Sequence, residues 1–160
     1  MRTLLESRAC ALRAEGKAPP EIYGLLLDQF VGTPYVWGGS DLDGSDCSGS
    51  VSACLSLAIG KPLRVTADTL YRSWFTGEAT MEDCLRGRLD GRIAAVFFLD
   101  KSGKAVHVAG YGRGWFVNVS SIEDGKRACR RSLDEMLGMY RGFVPVVRVC
   151  PLDDSKAVRI

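Results

Sequence analysis

Two residues of this chain, a cysteine and a histidine, have the types and positions that nucleophilic catalysis requires. Cys47 lies in the tetrad Asp46-Cys47-Ser48-Gly49, where a polar segment gives way to a predicted helix. A thiol in the first turn of a helix lies near unpaired N–H groups and the positive end of the helix dipole, and both favour the thiolate. The same N–H groups could receive the oxyanion of a tetrahedral intermediate. The alternative is a small buried cysteine at a helix start.

His107 is the only histidine in the sequence, so any Cys–His pair must contain it. It lies in a short apolar run over 105–109. Strand alternation predicts that the small residues Ala105 and Ala109 share its face, whereas Val106 and Val108 point the other way. That arrangement would leave room beside the imidazole for a facing helix or a ligand. The alternative is a hydrogen-bonded core histidine.

A glycine-rich stretch after His107 predicts a hairpin that brings in a third polar residue. If Gly112-Arg113 is a two-residue type II′ loop, His107 faces Asn118 directly, and such cross-strand partners have Cβ atoms about 4.5–5.5 Å apart. The Asn118 amide oxygen could then hold the imidazole N–H. A three-residue loop over 112–114 would shift the pairing by one residue and weaken this expectation. Otherwise Asn118 is a polar residue on a half-exposed strand.

The elements that must position these residues change character along the chain. Helical spacing comes first and predicts helices over 2–15, about 20–30, from Cys47 to about 59, 67–75 and 132–140. The third of these has a single apolar stripe, and the fourth is short and capped by Thr66. Strand patterns dominate later, over 93–99, 105–111, 115–119 and 143–149, with Pro145 favouring a sheet edge. The polar stretch 40–46 predicts a surface loop. This order predicts an α+β fold with helices packed on an antiparallel sheet.

Composition limits the possible functions. The length of 160 residues predicts a single domain, and a net charge of +2 without a Lys/Arg run argues against nucleic-acid binding. No apolar stretch is long enough for a membrane span, and the N-terminus lacks the pattern of an export signal. We therefore expect a cytoplasmic protein, or one delivered to the cell wall by another route. The six cysteines are expected to be reduced, and neither a metal site nor a cofactor is expected.

The motifs together resemble a known family. Gly32-Thr-Pro-Tyr-Val-Trp-Gly-Gly39, the tetrad ending at Gly49, His107-Val-Ala-Gly-Tyr111 and a polar residue eleven positions after the histidine are similar to those of NlpC-type cell-wall cysteine peptidases. The family belongs to the papain-like superfamily. The resemblance implies a hydrolase core over residues 22–150, preceded by a helical extension over 1–20. It also implies the site residues, namely Cys47 as nucleophile, His107 as base, Asn118 as third polar residue, and Tyr35, Asp46 and Ser48 as substrate-binding residues.

What the resemblance implies about activity is hydrolysis of amide bonds in peptidoglycan peptides, typically between γ-D-glutamate and a diamino acid, through an acyl-enzyme and without a cofactor. The sequence departs from the family pattern in three ways, which limit the resemblance. The position of Asn118 is more often histidine in the family, Gly91-Arg92-Ile93 replaces the usual Gly-Asp-Leu, and no wall-targeting domain precedes the catalytic part. The alternatives are an amidase, thioesterase or acyltransferase with the same triad, or a non-catalytic interaction module. The sequence does not predict an oligomeric state.

The two aromatic residues of the glycine-rich segment invite separate interpretations. Aromatic side chains in such segments usually cap a core, which predicts a buried Trp37. Tyr35 could pack in the same way, or its phenol could donate a hydrogen bond to the oxyanion.

Overall fold

The computed structural model describes residues 2–151, and its helices follow the sequence pattern closely. Their bounds are α1 Arg2–Ala14, α2 Pro19–Gln29, α3 Cys47–Ile59, α4 Ala67–Thr69, α5 Met81–Leu85 and α6 Leu133–Met139. A π-helical turn, Leu70–Trp74, continues α4, and a 3₁₀ turn covers Asp124–Lys126. The Thr66 hydroxyl accepts a hydrogen bond from the Thr69 N–H, which confirms the predicted cap. Among residues 2–151, none of the helices has the length and apolar character that a membrane span requires.

Within the described residues, eight strands form one large and one small antiparallel sheet. Their bounds are β1 Ser40–Asp41, β2 Gly44–Ser45, β3 Gly77–Glu78, β4 Ala94–Leu99, β5 Ala105–Gly112, β6 Trp115–Asn118, β7 Cys129–Arg131 and β8 Val144–Val149. The large sheet has the order β3-β8-β4-β5-β6-β7, and β1 pairs only with β2. Every neighbouring pair of the large sheet is antiparallel, so the predicted α+β class is confirmed.

The large sheet is covered on both faces. The side chains of β4 show this, since they alternate between two apolar clusters. Phe97 belongs to the larger cluster, which α1, α2 and α3 build on one face. Phe98 belongs to the smaller cluster on the other face, together with residues of α6 such as Met136. A strand buried on both faces reads as a continuous apolar run, as 94–99 does in the sequence.

The helix that begins at Cys47 is buried on nearly all sides, so its burial extends well beyond the predicted apolar stripe. It packs between α2 and β5, and its serines are buried with its apolar residues. Two of these hydroxyls donate to backbone carbonyls of the following segment: Ser52 to Val65 at 3.2 Å and Ser56 to Lys61 at 2.6 Å. Small residues with satisfied hydroxyls let the helix pack closely on two neighbours. The start of α3 is therefore held rigidly by the core.

Two predictions about exposure need correction. The stretch over 40–46 is a tight β1–β2 hairpin rather than a surface loop, and Ser45 and Asp46 at its end are buried. Strand β8 is the second strand of its sheet rather than an edge. Its neighbour β3 pairs only with Arg148 and Val149, however, so β8 has no partner on that side at Pro145. The N–H that proline lacks would therefore have no strand to bond there.

Candidate active site

Cys47 is the first residue of α3, as predicted. Asp46 has an extended backbone (φ −100°) and caps the helix, its Oδ1 accepting a hydrogen bond from the Gly49 N–H at 2.7 Å. A side chain on Gly49 would overlap the carbonyl oxygen of Gly39, so the glycine allows the preceding loop to pack against the helix start. The thiol is thus fixed at the N-terminus of a buried helix, with the backbone N–H groups of Cys47 and Ser48 beside it. N–H groups in the first turn of a helix can bind an anion.

The Asp46 carboxylate is almost fully engaged by protein donors. Besides Gly49, it accepts hydrogen bonds from the Gly38 N–H at 2.8 Å, the Ser48 hydroxyl at 3.3 Å and Arg64 at 3.1 Å. A carboxylate has about four acceptor positions, so little capacity is left for a further partner. Asp46 and Ser48 therefore hold the turn that carries Cys47, and their role in binding substrate stays a prediction.

The hairpin that carries His107 and Asn118 differs from the prediction in its loop. Its two loop residues are Arg113 and Gly114, with φ of 55° and 93°, so the turn has positive φ at both positions and resembles type I′. The predicted Gly112-Arg113 loop is wrong because it placed the glycine at the first position rather than the second. The register moves by two residues, which keeps each side chain on the same face.

His107 and Asn118 are nevertheless in contact. Nε2 of the imidazole lies 2.7 Å from Oδ1 of the amide. In the observed register Gly110 pairs with Val117, so His107 and Asn118 are diagonal rather than direct neighbours. Diagonal neighbours remain within reach of long side chains.

A β-bulge at Val106 changes which residues share the histidine's face. Phe98 pairs with His107 and Leu99 with Ala105, so Val106 is an extra residue in β5. The predicted alternation therefore holds for His107 and Ala109 but is wrong for Ala105. Ala105 belongs to the larger apolar cluster, on the face that α1, α2 and α3 cover.

The surroundings of the Cys47 thiol link it to the His107 strand. A hydrogen bond from the Val108 N–H lowers the pKa of the thiol, and so do the N–H groups at the start of α3. Burial has the largest effect, however, and together with the nearby Asp46 carboxylate it raises the pKa of Cys47 above its ordinary value. The expected preference for the thiolate is therefore wrong for this state, because desolvation outweighs the helix terminus.

The imidazole is buried in an aromatic environment. Burial lowers the pKa of His107 to about 4, although the hydrogen bond to Asn118 and the charge of Glu123 act in the opposite direction. The ring of Tyr140 stacks on the imidazole, with centroids 4.4 Å apart, and Phe98 lies 6.1 Å away. At neutral pH both members of the Cys–His pair are therefore uncharged.

Three residues near the site were not found from the sequence: Glu123, Arg131 and Tyr140. Asn118 donates through Nδ2 to Glu123 at 2.9 Å, and Arg131 forms an ion pair with Glu123 at 2.5 Å. Tyr140 stacks on His107 and also contacts the Asn118 amide. These contacts join β5, β6, β7, the residue before the 3₁₀ turn and the residue after α6, and the sequence carries no local signal of them.

The two aromatic residues of the glycine-rich segment have opposite surroundings. Tyr35 lies near Cys47, and burial together with the Cys47 and Asp46 charges raises its pKa. Its N–H donates to the carbonyl of Lys126 at 2.7 Å, which fixes the segment. Trp37 is 86% exposed, so its predicted role in the core is wrong. Gly38 (φ 80°) and its bond to Asp46 turn the chain there and leave the indole in solvent.

A family model described as NlpC/P60 matches residues 32–136, which include Cys47, His107 and Asn118. The chain belongs to the NlpC/P60 family. A search of curated proteins finds no match. The resemblance inferred from the motifs is confirmed by this match and by the solved structures that share the fold.

Three of those structures are representative. NlpC1 from Trichomonas vaginalis is 24% identical, with a TM-score of 0.55 over 81% of this chain and 42% of its own. An NLP/P60 family protein from Staphylococcus aureus is 20% identical, with a TM-score of 0.61 over 84% and 42%. The NlpC/P60 domain of the peptidoglycan hydrolase SagA is 20% identical, with a TM-score of 0.51 over 83% and 98%. The chain thus spans less than half the length of the first two.

Proposed function

We propose that this protein is a cysteine peptidase that hydrolyses amide bonds in peptidoglycan peptides, with Cys47 as nucleophile, His107 as base and Asn118 as the residue that orients the base. The observation that carries the proposal is the 2.7 Å contact between His107 Nε2 and Asn118 Oδ1 on a strand whose next residue, Val108, contacts the Cys47 thiol. A nucleophile, a base and an orienting group in this order are the signature of acyl-transfer sites.

The pKa directions favour proton transfer during attack rather than a preformed ion pair. Because the pKa of Cys47 is raised and that of His107 is lowered to about 4, the resting pair is a neutral thiol and a neutral imidazole. His107 removes the thiol proton as the sulfur attacks the amide carbonyl. The N–H groups at the start of α3 stabilise the oxyanion, and the phenol of Tyr35, which lies near Cys47, assists them.

The second half of the reaction uses the same groups. The imidazolium formed in the first step gives its proton to the leaving amine, and the C–N bond breaks to leave a thioester on Cys47. His107 then accepts a proton from water as the water attacks the thioester. The C–S bond breaks to release the carboxylic acid, and the imidazolium returns its proton to the sulfur to restore the thiol. Asn118 keeps the imidazole aligned through both steps.

Family membership supports a peptidoglycan peptide as substrate. The SagA domain, which this chain matches over 98% of that domain's length, is described as part of a peptidoglycan hydrolase. The bond proposed is that between γ-D-glutamate and a diamino acid, with Tyr35, Asp46 and Ser48 near the amino end of the peptide. The oxygens of Asp46 already accept hydrogen bonds within the protein, so its proposed contribution is the negative charge that it places beside Cys47, which would attract a positively charged amino end.

The proposal is tested by incubating the protein with defined muropeptides and identifying the products by mass spectrometry. We expect cleavage that Cys47→Ala abolishes, whereas the matched variant Cys10→Ala, at an exposed cysteine, should cleave like wild type. Cleavage that persists in Cys47→Ala would refute the nucleophile. No cleavage of any muropeptide by the wild type would refute the substrate class, and a thioester and amine screen would then decide among the other acyl-transfer reactions.

A further inference from the structure

Asn118 does not by itself determine which nitrogen of His107 is protonated. An asparagine side chain can present either its oxygen, an acceptor, or its NH₂ group, a donor. With the oxygen towards His107, Nε2 must carry the proton and Nδ1 is the free base. With the NH₂ towards His107, Nε2 would have to accept and the proton would move to Nδ1. Nδ1 could then no longer act as the base. A further group must therefore fix the orientation of the Asn118 amide.

Glu123 is the group that can do so. Its side chain is 1% exposed, and its carboxylate accepts a hydrogen bond from Asn118 Nδ2 at 2.9 Å. An ionised carboxylate only accepts, so the NH₂ group must face it and Oδ1 must face the imidazole. A reversed amide would set Oδ1 against the carboxylate oxygen, two acceptors without a proton between them. The Tyr140 hydroxyl, 3.3 Å from Nδ2, can donate or accept and imposes no preference.

Arg131 keeps Glu123 in the charged form. Its guanidinium bonds both carboxylate oxygens, at 2.5 Å to Oε1 and 3.0 Å to Oε2. Burial alone would raise the pKa of Glu123, but hydrogen bonds from Arg131 and Asn118 lower it below its ordinary value. Arg131 is in turn bonded to Glu135 at 3.0 Å. The carboxylate is thus ionised, fixed in position and shielded from solvent.

We propose that Glu123 is a positioning residue that sets the tautomer of His107 by fixing the orientation of the Asn118 amide. The proton then lies on Nε2, and Nδ1 is left as the base for Cys47. The inference rests on the proposed function for its catalytic meaning, but its structural content can be measured without any substrate.

His107 is the only histidine of the chain and Asn118 the only asparagine, so the test has a direct readout. In protein labelled with ¹⁵N-histidine, without a histidine tag, the imidazole nitrogens give one set of NMR signals. At pH 7 we expect Nε2 protonated and Nδ1 unprotonated in the wild type. A wild-type spectrum with the proton on Nδ1 would overturn the inference without the need for a variant.

Glu123→Gln supplies the second arm, because glutamine can present either a donor or an acceptor to Asn118. We expect a measurable Nδ1–H population and a kcat at least about tenfold lower with little change in KM, since a wrong tautomer can cost on the order of 10⁴-fold. The matched control is Glu135→Gln, which also removes a carboxylate from Arg131. Glutamine can keep the capping box of α6, so this control should retain the Nε2–H tautomer.

An Nε2–H tautomer and an unchanged kcat in Glu123→Gln would reduce Glu123 to a structural role and overturn the inference. A wild-type protein with the expected tautomer but no peptidase activity would instead refute the proposed function and leave the tautomer control standing.

Discussion

The side chains of His107 and Asn118 meet diagonally across the β5–β6 hairpin, with the imidazole Nε2 2.7 Å from the amide Oδ1. The diagonal arises because Arg113 and Gly114 form the loop, which places Val117 opposite Gly110. Asn118 is fully buried there and held on its other side by Glu123. The contact is therefore part of a fixed polar network rather than a flexible surface pair.

Removal of the Asn118 amide should affect both rate and titration. We expect Asn118→Ala to lower kcat on the order of 10²-fold, because the base loses its orienting partner. The pKa of His107 should also fall below about 4, since the hydrogen bond to Asn118 raises it. Steady-state kinetics and NMR titration of the single histidine measure the two effects. Val119→Ala, at a buried neighbour, is the matched control and should change stability but not the His107 pKa.

The pH dependence of activity should reflect the lowered pKa of His107. We expect kcat/KM to fall only as the pH approaches about 4, because the imidazole stays neutral above that value. With an ordinary histidine pKa of about 6.5, the activity would be lost about 2.5 pH units higher. An acid limb near pH 6.5, or an imidazolium signal at pH 7, would contradict the neutral resting pair.

The same shift links His107 to stability. Its pKa is about 4 in the folded chain and 6.5 in the unfolded chain, so the unfolded chain binds more protons between these values. The free energy of unfolding should therefore decrease as the pH falls from about 6.5 to 4, by up to about 3 kcal/mol from this group. Denaturant unfolding of His107→Gln alongside the wild type isolates the contribution. Equal pH slopes for both proteins would argue against it.

The charge of Asp46 should tune the Cys47 thiol. Its carboxylate raises the thiol pKa, so Asp46→Asn should lower that pKa and speed alkylation of Cys47 by iodoacetamide at pH 7. Asparagine caps a helix about as well as aspartate. Its NH₂ group cannot accept the Gly38 N–H bond, so a loss of about 1 kcal/mol of stability is expected. Mass spectrometry of the labelled cysteine gives the rate, and slower labelling would contradict the prediction.

The exposed indole should be dispensable for folding. We expect Trp37→Ala to change the free energy of unfolding by less than about 0.5 kcal/mol, because its side chain is 86% exposed. Phe30→Ala, at a fully buried ring seven positions earlier, should cost about 3–5 kcal/mol. Denaturant unfolding compares the two. A loss in Trp37→Ala close to that in Phe30→Ala would place the indole in the core after all.

Local signals predicted much of the fold, the helix start at Cys47 and the contact between His107 and Asn118. Helix periodicity, the Thr66 cap and the apolar run over 94–99 depend on nearby residues, and each agrees with the structure. The predicted register of the hairpin was wrong by two residues, yet it still identified Asn118, because a shift of two preserves the face.

What the sequence could not supply depends on contacts between distant elements. The raised pKa of Cys47 and the lowered pKa of His107 come mainly from burial, which is known only once the chain has folded. Glu123 and Tyr140 join the site through loops and a helix end that carry no motif. The exposure of Trp37 follows from the turn at Gly38 and not from its residue type.

In the proposed reaction Cys47 forms a covalent acyl-enzyme with a peptidoglycan peptide. The most direct test mixes the wild type with a cleavable muropeptide, quenches the reaction in acid within the first turnover, and maps the adduct by mass spectrometry. We predict a mass increase equal to the acyl part of the substrate on the peptide that contains Cys47, and none in Cys47→Ala. Product formation without any adduct on Cys47, or with the adduct on another cysteine, would contradict the account.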